Sequence, residues 1–189
     1  MPRFAAIFLS LYAFAALPAT AADAPDLGPA IGAAVPVAIE AVDHQGKARQ
    51  FADLSGENGM ILVFSRSMEW CPYCQRQAID ANSRAADFAA LGMPLVLLTY
   101  DPVEKLARFA DRQNIAYTLI SDPESKIIDG FGLRNADYGP ESIAHGVPHP
   151  AIFAIDAQGV VRAKLLEEGY KARPDIVDVL AAAQSLAQD

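Results

Sequence analysis

The only two cysteines of the 189-residue chain lie three positions apart, in Trp70-Cys71-Pro72-Tyr73-Cys74. If Cys71 caps a helix, Cys74 sits one turn on along the same face, close enough for the sulfurs to interconvert between dithiol and disulfide. Pro72 suits that geometry, because at the first helical position its missing N–H costs nothing and its fixed φ matches the helix. The N–H groups of Tyr73 and Cys74 then face the Cys71 sulfur. The helix dipole favours a thiolate there by only about 0.3–2 kcal/mol, whereas lowering a thiol from ~8.5 to ~3.5–7 takes roughly 2–7 kcal/mol, so hydrogen bonds to sulfur must supply most of the shift. The expectation is an exposed, low-pKa nucleophile at Cys71 and a more buried Cys74 that resolves a mixed disulfide by attacking it. A purely structural bridge over so small a loop would stabilise little, so a redox role is preferred.

Other residue types near these cysteines suggest further chemistry. Trp70, Pro72 and Tyr73 are expected to shape a substrate-binding surface around the sulfurs, and Glu69 and Arg66 to select partners by charge. His145 or His149 could join Cys71 and Cys74 in a Cys2His2 metal site; the plainer reading is a polar loop with one histidine tuning thiolate charge. No resident metal or cofactor is expected. Tyr138 either lines a substrate groove or simply packs, and His44, in a turn, is expected to be solvated.

The cysteines need a strand and a helix to hold them. Met60 to Ser65 is continuously apolar up to its last residue, as in a strand buried on both faces. From Pro72 to about Ala90 no breaker interrupts a weak apolar stripe, which predicts one helix ended by Gly92. Leu95–Tyr100 reads as a second buried strand, and Asp101-Pro102 opens a helix that fades near Asn114. Tyr117–Ile120 reads as a short edge strand, Pro123–Phe131 as a short helix, and Arg134–Val147 as a loop. Ala151–Ile155 and Val160–Leu166 flank the turn Asp156-Ala-Gln-Gly159. Asp175–Leu186 is an Ala-rich closing helix, and Val35–Val42, Asp43–Gly46 and Ala48–Leu54 predict an N-terminal hairpin. This alternation describes an α/β domain with a central mixed sheet and helices on both faces.

The first 21 residues are read apart from that domain. Arg3 precedes the apolar run Phe4–Leu17, which is too short to span a membrane, and Ala19-Thr20-Ala21 fits the small-x-small rule for signal peptidase, with cleavage before Ala22 or Asp23. The reading is residues 1–21 as signal peptide, 22–34 as extended leader, 35–189 as the domain, and export to a bacterial periplasm. The formal charge is −8. It becomes −9 from Ala22 on, because the first 21 residues hold one Arg and no acid. Such an acidic chain, without a basic patch, argues against nucleic-acid binding.

Trp-Cys-x-x-Cys opening a helix after a buried strand, with Ile120-Ser-Asp-Pro123, Gly130-Phe-Gly132 and Pro150 before Ile152-Phe-Ala-Ile-Asp156 and Gly159, resembles the thioredoxin-like fold. The layout is similar to its redoxin branch, which includes TlpA/ResA-like thiol-disulfide oxidoreductases and AhpC/TSA peroxiredoxins, over roughly Ile31 to Ala183. The resemblance implies a three-layer thioredoxin-like domain with an N-terminal β-hairpin. It also implies a cis His149–Pro150 bond against the cysteine pair, with Pro148 the competing position, placing His149 beside the sulfurs and giving His149 and Pro150 a share in substrate binding. Partners would be thiol- or disulfide-containing proteins and a membrane or small-thiol electron donor or acceptor. Two departures stand out. The peroxiredoxin loop Pro-x-x-x-Thr/Ser-x-x-Cys would need Pro and Thr/Ser where the chain has Phe64 and Met68 (counting from Cys71) or Ser67 and Cys71 (counting from Cys74). The buried acid that thioredoxins carry six residues before the first cysteine is Ser65. A thiol peroxidase is therefore the second enzymatic reading, and a metal-binding module the reading from another class.

Overall fold

The apolar runs at the centre of the chain fold as three adjacent strands, each buried at every position. The computed structural model describes residues 26–36, 38–167, 169 and 171–188; the expected signal peptide and the first residues of the leader lie outside the described residues. In chain order the elements are β1 (Glu40–Asp43), β2 (Ala48–Gln50), α1 (Phe51–Leu54), β3 (Met60–Phe64), α2 (Pro72–Asn82), α3 (Ala85–Ala90), β4 (Leu95–Thr99), α4 (Val103–Gln113), β5 (Thr118–Ser121), α5 (Lys126–Gly130), β6 (Ala151–Ile155), β7 (Val161–Leu165) and α6 (Ile176–Leu186).

The sheet runs β2-β1-β5-β4-β3-β6-β7. β3, β4 and β5 are parallel, as helical crossovers require, while β6 pairs antiparallel with β3 and β1 antiparallel with β5. Helices α2, α3, α4 and α6 cover one face and α1 and α5 the other. This is the mixed α/β, thioredoxin-like architecture expected.

Two local expectations fail. β5 is not an edge strand: β1 lies against it, pairing Val42 with Ser121 and Asp43 with Ile120, a long-range contact that no local pattern announces. The long helix is two, α2 and α3, broken at Ser83-Arg84. Its polar residues bond elsewhere: Ser83 Oγ donates to the Asp80 carbonyl at 2.6 Å, and Asn82 accepts from Ala116 N–H at 2.7 Å and donates to the Asn114 carbonyl at 3.1 Å. Such side chains compete with the helical ladder, and here Asn82 ties the end of α2 to the connection between α4 and β5.

The two β-hairpins use one device. Asp43-His-Gln-Gly-Lys-Ala-Arg49 and Asp156-Ala-Gln-Gly-Val-Val-Arg162 share the pattern Asp-x-Gln-Gly-x-x-Arg. In each, one carboxylate oxygen accepts the N–H groups two and four residues on, and the other accepts from the arginine Nε, at 2.7 Å for Arg49 and 2.6 Å for Arg162. Burial pushes both carboxyl pKa values up, but the backbone and arginine bonds outweigh it and hold them below the usual range. His44 is not merely solvated, since its Nδ1 accepts the Leu119 N–H at 3.2 Å. At the entry to β3, Gly59 has φ +118°, and a Cβ there would fall 2.0 Å from the Ile155 carbonyl oxygen.

A buried disulfide at the head of α2

β3 ends at Phe64, and residues 65–70 carry the chain to α2. The loop is held from beneath by one carboxylate. Asp101, just past β4, accepts from Ser67 Oγ at 2.7 Å, from Met68 N–H at 2.6 Å and from Thr99 Oγ1 at 3.0 Å. Ser67 Oγ in turn accepts from the N–H groups of Glu69 and Trp70, at 3.0 and 3.3 Å. Asp101 is 3 % exposed; burial pushes its carboxyl pKa up against the lowering by these bonds. On the outer side, Gln75 Nε2 donates to the Met68 and Glu69 carbonyls, and Lys105 pairs with Glu69. The charges flanking the cysteines thus serve partly to hold the loop.

Cys71 is the N-cap of α2 and Pro72 its first residue; the Cys74 N–H points to Cys71 Sγ at 3.4 Å. The two cysteines are joined in a disulfide, with Cα atoms 5.3 Å apart. The expected cap geometry is present, but the expected exposure of Cys71 is not: it is 2 % exposed and Cys74 0 %. Both belong to the core cluster containing Met68, Ala78 and Ala81, with Trp70 packed against it. The outward part of the motif is Pro72 and Tyr73, the latter 39 % exposed.

Aromatic residues join this loop to the 134–147 segment. Trp70 Nε1 donates to Tyr100 Oη at 3.0 Å, and Tyr100 Oη donates to the Ile143 carbonyl at 2.6 Å. The Arg66 guanidinium, 4 % exposed, lies 5.0 Å from the Trp70 ring centroid and 5.1 Å from that of Tyr138, and donates to Tyr138 Oη at 2.9 Å. Tyr138 therefore packs over the cysteine loop. Such stacking of a desolvated cation between rings contributes about 2 kcal/mol or more.

His149 and Pro150 precede β6, whose Ala151 pairs with Phe64, so Pro150 sits beside the start of the cysteine loop. The His149–Pro150 bond is trans, as are the other peptide bonds among the described residues, which corrects the expected cis bond. The chain arrives extended, with Pro148 bridged to Arg134 and the His149 N–H donating to the Leu133 carbonyl at 2.7 Å. An extended path into a strand suits the ordinarily preferred trans form. Burial pulls the His149 pKa below its usual value, against a small opposing effect of Asp137. His145 is exposed, its Nδ1 beside the Tyr138 carbonyl. Among the described residues, no group of three or more His, Cys, Asp or Glu side chains is placed to hold a metal ion. At the thioredoxin acid position, Ser65 is fully buried and its hydroxyl has no hydrogen-bond partner among the described residues.

Sequence reasoning missed two residues. Asp101 reads from the sequence only as a helix start, because the groups it accepts from at Ser67 and Met68 lie more than thirty residues away. Arg173, 99 positions beyond Cys74, gave no local signal; its Nη2 reaches Cys74 Sγ at 3.4 Å and its Nε donates to Gln77 Oε1 at 3.1 Å. A groove of about 600 Å³ runs alongside, lined by Tyr73, Arg76, Gln77, Arg173 and Ile176.

This strand–loop–helix setting of a cysteine pair defines a thiol-based redox protein of thioredoxin-like fold. The AhpC/TSA family profile matches residues 31–164, and the chain belongs to the AhpC/TSA family. Peroxiredoxin Bcp of Escherichia coli (strain K12) is 25% identical over 119 residues, 63% of this chain and 74% of that protein. Peroxidoxin BcpB from Mycobacterium tuberculosis superimposes with a TM-score of 0.69 at 22% identity, over 84% of this chain and 96% of that chain. A peroxiredoxin 6 mutant of Arenicola marina gives a TM-score of 0.73 at 19% identity, over 84% of this chain and 74% of that one. The protein is a thiol-based oxidoreductase.

Proposed function

We propose that the protein exchanges disulfides with protein partners through Cys71 and Cys74. The observation that carries this reading is the bridge itself, set on the N-cap of α2 with the Cys74 N–H aimed at Cys71 Sγ. A partner thiolate attacks Cys71 Sγ, the Cys71–Cys74 bond breaks, and its electron pair leaves on Cys74. Cys74 then attacks Cys71 to release the partner, or a second thiol completes the reduction. Tyr73 and Pro72, exposed beside the sulfurs, are the first contacts for a partner, with Trp70, His149 and Pro150 bounding the same surface. The family relationship supports a second reading, thiol peroxidase: a hydroperoxide oxidises the Cys71 thiolate to a sulfenic acid with release of an alcohol, and Cys74 condenses with it, releasing water.

Insulin reduction and thiol-driven hydroperoxide consumption, measured on one preparation, separate the two. Exchange requires insulin reduction and a Cys74→Ser variant that accumulates a mixed disulfide on Cys71. Peroxide consumption without either outcome replaces exchange by peroxidase. We further propose a periplasmic location after removal of residues 1–21, with electrons exchanged with a membrane or small-thiol partner. The N-terminal residue of protein recovered from the cell envelope tests this: Ala22 or Asp23 supports it, and Met1 overturns it.

A further inference from the structure

We propose that Arg173 is a catalytic residue that receives the negative charge developing on Cys74 when the disulfide is opened. The inference rests on the exchange reading above and deepens it by assigning the leaving-group side of the reaction. The helix N-terminus accounts for Cys71: it is the cap, and the Cys74 N–H faces its sulfur. Cys74 lies one turn inside the helix and is fully buried. A thiolate left there without a partner would be costly, since burial in apolar surroundings raises a thiol pKa. Arg173 meets that need, with Nη2 3.4 Å from Cys74 Sγ.

The guanidinium is aimed rather than loosely placed. Nε is tied to Gln77 Oε1, one turn along α2 from Cys74, and Nη1 donates to the Ala172 carbonyl at 2.6 Å. Burial and the nearby Arg66 charge bring the Arg173 pKa down to about 10, so it is still a cation at neutral pH. A cation gains little beside a neutral disulfide sulfur and much beside a thiolate. The contact therefore strengthens along the reaction, as transition-state stabilisation requires.

The step balances. An incoming thiolate RS⁻ forms a bond to Cys71 Sγ, the Cys71–Cys74 bond breaks, and the electron pair departs on Cys74 Sγ facing the guanidinium. A lower leaving-group pKa makes this departure faster. In the reverse direction the same contact keeps Cys74 as a thiolate ready to attack a mixed disulfide.

Two measurements test the assignment. In a Cys71→Ser background, where Cys74 is the only thiol, ultraviolet thiolate absorbance gives its pKa; Arg173→Gln should raise it by about one to three units, and Arg173→Lys should restore part of the shift. In the two-cysteine protein, opening of the disulfide by a small thiolate, followed by Trp70 fluorescence, should slow roughly tenfold in Arg173→Gln. A Cys74 pKa and an opening rate both unchanged by Arg173→Gln, in variants with the wild-type circular dichroism spectrum, overturn the role of Arg173. A wild-type disulfide that no thiol opens overturns the exchange reading itself and this role with it.

Discussion

The two faces of the central sheet are built from different side chains for different ends. Under α1 and α5 the core is aromatic: Phe64, Phe131 and Phe153 form a mutual cluster, with Phe64 and Phe153 edge to face at 5.8 Å and Phe64 and Phe131 4.7 Å apart. Under α2, α3, α4 and α6 the buried aromatics Phe88, Phe109 and Tyr117 share the core with small residues, Ala78, Ala81, Ala85 and Ala183, in the cluster that also holds Cys71 and Cys74. With Cys74, Ala78 and Ala81 buried along α2, the disulfide lies within this core while Cys71 caps the helix. β3 serves both faces at once, Met60, Leu62 and Phe64 on one and Ile61 and Val63 on the other, as strand alternation dictates. The aromatic trio belongs to one face and the cysteine pair to the other.

The largest effect should come from breaking the aromatic face. Phe153→Ala should cost about 3–5 kcal/mol in denaturant unfolding while leaving the rate of disulfide opening in the folded protein within twofold of wild type. A larger change in rate would mean that the faces are coupled and the division of labour is false. Next, Asp101→Ala strands the Met68 N–H and the Ser67 and Thr99 hydroxyls beneath the cysteine loop, and should cost roughly 2–4 kcal/mol. Unlike Phe153→Ala, it should also change the opening rate, because it loosens the segment that places Cys71. An unaltered rate would show that α2 alone positions the sulfurs.

Smaller changes sharpen the picture of the loop. Tyr100→Phe removes the acceptor of Trp70 Nε1 and the donor to the Ile143 carbonyl, for about 1 kcal/mol. Trp70 is the only tryptophan, so its emission should shift with the substitution; an unmoved spectrum would mean that the Trp70–Tyr100 bond does not persist in solution. The smallest effect concerns pH. Burial lowers the His149 pKa in the folded chain, so folding favours the neutral ring. The stabilisation is full above the ordinary histidine value of ~6.5 and is lost as pH falls through the folded-state pKa. Unfolding free energies at pH 7 and pH 5 should therefore differ more for wild type than for His149→Gln. Equal differences would place the acid sensitivity elsewhere.

Much of this was legible beforehand because it is local. A continuously apolar run, a proline after Cys71 and an Asp-x-Gln-Gly turn each constrain the backbone within a few residues, and β3, the start of α2 and the β6–β7 hairpin follow from them. The break between α2 and α3 was not legible, since the Asn82 side chain at the end of α2 takes partners 32 and 34 residues away. The trans His149–Pro150 bond was missed for a related reason: the resemblance suggested an isomer, while the extended path set by Leu133 and Arg134 decided it.

The sequence by itself determined that a cysteine pair would cap a helix after a buried strand, because residue type and spacing act through the nearest turn of backbone. Tertiary structure alone decided that Cys71 is covered rather than exposed, that Asp101 carries its loop, and that a guanidinium 99 residues downstream meets Cys74. Burial and charge proximity depend on which distant segments the fold brings together, and no local pattern encodes them.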